Sequence, residues 1–110
     1  MNRFRSHNCG ELSSKDIDKS VVLSGWINKK RDHGGLLFVD LRDHYGITQC
    51  VFDSNIKHFN KIESLKLESV LKISGKVIER SEETINQSLL TGRVEILVES
   101  FEILNESNQI

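Results

Sequence analysis

Polar and apolar positions alternate along most of the chain in short segments separated by polar breaks, and no proline is available to mark those breaks. A polar lead precedes a short helical turn that Ser13 or Ser14 can cap, with Asp16 three residues after Ser13 as in a capping box. Val21 to Arg31 then reads as a first strand, and Gly25 within it predicts a bulge or sharp bend where a long strand coils between sheets. His33-Gly34-Gly35 forms a turn. Leu36 to Arg42 alternates strictly, with Leu37, Val39 and Leu41 on a core face and Leu36, Phe38, Asp40 and Arg42 opposite. Asp43-His44-Tyr45-Gly46 turns the chain back, and Ile47 to Asp53 places Thr48, Cys50 and Phe52 against Gln49 and Val51, completing a hairpin.

From Ser54 the period lengthens to that of a helix, with Ile56, Phe59, Ile62, Leu65 and Leu67 on one stripe. Val70 to Arg80 returns to strand, with Gly75 as a second predicted bend. A polar loop spans residues 81–93, and Val94 to about Leu104 is the last strand, Val94, Ile96 and Val98 alternating with Glu95, Leu97 and Glu99. Three strands, one helix and two strands is the order of an all-β, five-stranded Greek-key barrel, the OB-fold, with its helix between strands 3 and 4. A helix at that point is atypical of SH3-like barrels. The barrel is expected over about residues 20–106 of a single 1–110 domain, with residues 1–19 packed on it; a chain of 110 residues closes one core and has no room for a second.

Composition narrows the function classes. A net charge of −1 excludes binding of nucleic acid by bulk positive charge, so any such contact is local. The balance is uneven: residues 1–60 carry nine Lys/Arg against seven Asp/Glu, and residues 61–110 carry six against nine. Cys9 and Cys50 have no spacing suited to a zinc site or a disulfide framework, and no metal or cofactor site is expected in this domain. The chain has neither a signal-like start nor a membrane-length apolar run, which predicts a cytoplasmic protein without a membrane partner.

On the outward face, alternation puts Phe38 beside Gln49 of the paired strand, with Lys29-Lys30-Arg31 ending the strand alongside. An exposed ring stacks an unpaired base, an amide offers a donor and an acceptor to a Watson–Crick edge, and cations hold phosphates or a base edge. Glu95, outward by the same parity, can accept from guanine N1–H and N2–H2. Cover of Phe38 by the chain's own segments or by a protein partner is the competing use of the same pattern, and a free-standing OB protein that grips single strands without reading them is the other alternative.

Gly25-Trp26-Ile27-Asn28-Lys29-Lys30-Arg31-Asp32, then Leu37-Phe38-Val39-Asp40-Leu41-Arg42-Asp43 and Gly46-Ile47-Thr48-Gln49, resembles the N-terminal anticodon-binding domain of bacterial aspartyl-tRNA synthetases. The resemblance runs from about Cys9 to about Asn105, and lysyl and asparaginyl synthetases share its broad outline. It implies that Phe38 stacks on the central uracil of the anticodon, Gln49 reads that base, Arg31 contacts the anticodon, and Glu95 reads the first base, guanine or its queuosine derivative. Arg80 and Asn86 match loop positions that touch the third base or adjoining backbone, and Lys29 and Lys30 are candidate backbone contacts. Val51 and Thr84 depart from the family, which often carries a second aromatic and an asparagine there. His33 and Glu83 replace a leucine and a lysine of enzymes that charge tRNA(Asp) alone; His33 is similar to the non-discriminating type that also aspartylates tRNA(Asn). The implied parent is a homodimeric, class II aspartate–tRNA ligase using ATP and magnesium in a separate catalytic domain, with most of the dimer contact outside a monomeric, non-catalytic anticodon domain.

Overall fold

The computed structural model describes residues 6–80 and 92–106. Strands β1 (Ser20–His33), β2 (Leu36–Arg42), β3 (Ile47–Asp53), β4 (Val70–Glu79) and β5 (Val94–Asn105) close into a barrel in the order β1-β2-β3-β5-β4, with helix α1 (Phe59–Ser64) between β3 and β4. The expected OB topology is present. Closure depends on β1, which is long enough to pair with β4 through Ser20–Trp26 and with β2 through Trp26–His33. A short parallel contact, Cys50 with Ile96 and Val51 with Leu97, joins β3 to β5.

Alternation fills the interior. Leu23, Ile27, Val39, Leu41, Phe52, Leu71, Ile73, Val77 and Ile96 are fully enclosed, and Cys50 is a buried thiol among them. Gly25 stays in regular register with Leu71, so the predicted bulge is not there; the pairing shifts between Ile27 and Lys29, which leaves Asn28 as the extra residue. The missing side chain at Gly25 serves a different purpose, since a Cβ there would sit 2.3 Å from the Arg42 carbonyl oxygen. Gly75 does coincide with a register shift, between Ser74 and Gly75.

The helix is shorter than its periodicity predicts. Asp53 accepts the Asn55 N–H on its side chain and the Ile56 N–H on its carbonyl, and His58 adopts a left-handed φ of 66°, so helical pairing starts only at Phe59. The apolar stripe still works as a plug: Ile62 and Leu65 are buried in the core and Ile56 and Phe59 pack against it, whereas Leu67 is 43% exposed. Each fully buried side chain of this size contributes roughly 1.5–3 kcal/mol.

A capped 3-10 turn, Ser14–Asp16, matches the predicted capping box: the Ser13 hydroxyl accepts from the Lys15 N–H, and Asp16 accepts from the Ser13 N–H. Before it, Cys9 and Leu12 are buried in the core cluster. The Cys9 N–H donates to Asp43 (2.8 Å) and the Thr48 hydroxyl donates to the Cys9 carbonyl (2.6 Å). Gly10 and Gly46 touch backbone to backbone, and a Cβ on Gly10 would lie 2.2 Å from the Tyr45 carbonyl oxygen. Among the described residues no helix is long and apolar enough to cross a membrane.

Candidate nucleic-acid interface

Register aligns two rows of side chains across the outer barrel face. Directly paired residues share a face, so Arg31, Phe38, Val51 and Leu97 form one row over β1, β2, β3 and β5, ending on Lys76 of β4. The neighbouring row holds Lys29, Asp40 and Gln49. Glu95 continues it on β5, where its carboxylate accepts from the Gln49 amide at 2.9 Å.

The first row is apolar in the middle. Phe38 is half-buried, Val51 is covered, and Leu97 is 40% exposed. The ring of His33, at the end of β1, stands edge-on to Phe38 with centroids 5.3 Å apart and an interplanar angle of 82°. That packing fixes the ring's tilt, as aromatic pairs of this geometry do.

The second row is a hydrogen-bonded chain. Both terminal nitrogens of Arg31 donate to Asp40 at 3.2 Å, and one of them also donates to the Gln49 carbonyl oxygen at 2.7 Å. Gln49 in turn donates to Glu95. The alternation of β3 is as expected, but Gln49 does not project into solvent: it is 4% exposed, because Arg31 and Glu95 close over it. Its amide has one N–H and one oxygen lone pair beyond these two bonds.

Arg80 directly follows β4 rather than lying out in a loop. It is buried, its Nε donates to the Val94 carbonyl at 3.1 Å, and its backbone N–H continues the pairing to Arg93. Burial pushes its guanidinium below the usual value, with Glu95 and Asp40 opposing and Arg31 adding to the effect. Burial likewise raises the Glu95 carboxyl, against the Gln49 hydrogen bond and the Arg80 charge. Asp40, Arg31, Glu95 and Arg80 thus sum to zero charge around one neutral amide.

Of the basic triplet, Lys29 is exposed beside Asp40. Lys30, expected as a candidate backbone contact, donates its ammonium to the Glu63 carbonyl (2.8 Å) and to the Leu65 carbonyl, tying β1 to the C-terminal end of α1. Carbonyls at a helix end attract a cation, so this lysine serves the fold; partial burial also lowers its pKa. Glu83 and Asn86, like Thr84, lie outside the described residues. Asp40 is the member of the site that sequence reasoning passed over; its place two residues from Phe38 on the same face was the available signal. Among the described residues no three His, Cys, Asp or Glu side chains are placed to hold a metal ion.

A family model described as OB-fold nucleic acid binding domain, for tRNA anticodon binding, matches residues 21–104. The aspartate–tRNA(Asp/Asn) ligase of Pelagibacter ubique is 56% identical over all 110 residues of the chain, and that of Rhodopseudomonas palustris strain BisB18 is 51% identical over the same span. These alignments cover 18% and 19% of the two relatives, so the chain spans about a fifth of their length. Among solved structures, asparaginyl-tRNA synthetase from Pyrococcus horikoshii superposes with a TM-score of 0.79 at 26% identity, over 94% of this chain and 24% of that one. Aspartyl-tRNA synthetase from Entamoeba histolytica, at 21% identity, shares the fold with a TM-score of 0.82 over 93% of this chain and 22% of its own.

Proposed function

This chain belongs to the OB-fold nucleic acid binding domain family of tRNA anticodon binders, and from that premise we propose that it is the anticodon-binding part of an aspartate–tRNA ligase. The observation that carries the proposal is the convergence of Phe38, Arg31, Gln49 and Glu95 on one face of the barrel. Phe38 stacks the central uracil, Gln49 reads its edge, Glu95 accepts from the first-position guanine, and Lys29 and Arg31 meet the backbone. Arg80, whose charge acts on Glu95, and Asn86 serve the third base or its backbone.

The longer protein would attach aspartate to tRNA using ATP and magnesium, held by residues outside this chain, and would work in the cytoplasm as a homodimer. The domain's share of that reaction is positional. Anchoring the anticodon confines the distant acceptor end and so raises its effective concentration at the catalytic site.

Relaxed choice between tRNA(Asp) and tRNA(Asn) is part of the proposal. The relatives named above are aspartate–tRNA(Asp/Asn) ligases, and His33, the departure from single-tRNA enzymes, packs on the edge of Phe38. Titration of the chain with anticodon stem-loops that differ only at the third base, C or U, tests this: similar affinities support it, and a strong preference for C removes it. Failure to prefer either loop over an unrelated single strand of the same length would overturn anticodon reading altogether and favour a general single-strand binder.

A further inference from the structure

We propose that Asp40 is a positioning residue that sets which base Gln49 accepts, by holding Arg31 in place and so fixing the orientation of the Gln49 side-chain amide. The inference rests on the anticodon-binding reading above and adds to it a residue that touches no base.

A glutamine amide has two near-isosteric orientations, and only its surroundings choose between them. Here both ends are committed: the oxygen accepts from Arg31 at 2.7 Å and the nitrogen donates to Glu95 at 2.9 Å. Turning the amide over would set N–H against guanidinium and oxygen against carboxylate, losing both bonds within a buried spot. Glu95 is fixed by its place on β5. Arg31 is not fixed in this way, because its long side chain is 41% exposed near the end of β1. The fork to Asp40, with each terminal nitrogen on a different carboxylate oxygen, is what aims one N–H at Gln49. An ion pair this exposed adds little to stability, so its effect here is directional.

The consequence is chemical. Uracil presents an N3–H donor beside its O4 acceptor, and cytosine presents an N3 acceptor beside its N4–H2 donor. For a base held in one pose on Phe38, the two require opposite orientations of the amide. A pinned amide therefore accepts one and rejects the other, and a released amide accepts both.

The test measures affinities of this chain for anticodon stem-loops identical except for U or C at the central position. Asp40→Asn is expected to reduce the U-over-C preference by about tenfold, mostly by improving binding of C, because one well-placed bidentate contact carries about that discrimination. Asp40→Glu, which keeps the carboxylate, should restore most of the preference. Phe38→Ala should weaken both RNAs alike. An unchanged U-over-C ratio in Asp40→Asn, with Phe38→Ala still weakening both, overturns the role of Asp40 and leaves the anticodon reading standing. If Phe38→Ala also leaves both affinities unchanged, the anticodon reading fails as well. Should Asp40→Asn not fold, Arg31→Lys, which keeps the charge but lacks the fork, decides by the same ratio.

Discussion

Replacing Phe38 by Ala removes a half-buried ring that has two neighbours with different consequences. On one side is the His33 edge at 5.3 Å, a contact worth about 0.5–1.5 kcal/mol to the fold. Beside it on the paired strand lies Val51, which is buried. The loss in stability should be about 1–2 kcal/mol, leaving most of the roughly 5–15 kcal/mol of a small domain. On the open face, a stacked base contributes about 1–3 kcal/mol, so RNA affinity should fall by about 5- to 150-fold. Phe38→Leu separates the two effects, since leucine keeps a large apolar side chain beside Val51 but offers no π face. Fluorescence-anisotropy titration of a labelled anticodon stem-loop, with urea midpoints for each variant, reads both. If stacking is the role, Phe38→Leu binds nearly as poorly as Phe38→Ala while unfolding close to wild type. Wild-type affinity in Phe38→Leu would refute a stacking role and reduce Phe38 to cover for the barrel.

The two lysines of the basic run should behave oppositely: Lys29→Ala should lower the salt dependence of RNA binding by about one ion without moving the urea midpoint, and Lys30→Ala should cost about 1–2 kcal/mol of stability with the salt slope unchanged. Asp43→Ala removes the acceptor for the Cys9, Tyr45 and Gly46 amides; the Cys9 amide is buried, so a loss of about 2–3 kcal/mol is expected in urea unfolding, and a loss below about 0.5 kcal/mol would refute the anchoring role. Glu95 has its folded-state pKa raised by burial, so the native state holds its proton more tightly than the unfolded one; the resulting stability is present below the unfolded pKa and is lost as pH rises through the folded pKa. Glu95→Gln should flatten that decline, which begins above about pH 4, and should abolish the weakening of guanine-containing loops on acidification that the ionised carboxylate predicts, both read by repeating the titrations across pH.

Local alternation sufficed for β2 and β3, whose observed bounds, Leu36–Arg42 and Ile47–Asp53, are those read from the pattern, because inward and outward side chains alternate along each without interruption. It failed where distant segments decide. The stripe from Ile56 is periodic enough for a longer helix, yet Asp53 turns the chain and His58 takes a left-handed conformation that sequence period does not report. In the sequence Lys30 is indistinguishable from its basic neighbours until α1 brings the Glu63 and Leu65 carbonyls to it across more than thirty residues. Gln49 is outward by parity and still buried, because its cover comes from Arg31 and Glu95 on two other strands. Parity fixes which way a side chain leaves the sheet; neighbouring strands determine whether it then meets solvent.

That distinction bears on how the site can bind. A surface of unpaired donors and cations would gain affinity from any RNA. Here the polar row is already satisfied from Asp40 to Glu95 with no net charge among its ionised members, so a base edge must exchange with or add to existing bonds, and its hydrogen bonds yield little net affinity. A wrong edge, by contrast, leaves a buried donor or acceptor unpaired at full cost. On the anticodon-binding reading proposed above, such a face would bind RNA weakly through Phe38 and a few phosphate contacts and would discriminate through Gln49 and Glu95. Weak anchoring with sharp rejection is what the proposed function would require of a domain that admits a tRNA to a reaction carried out elsewhere.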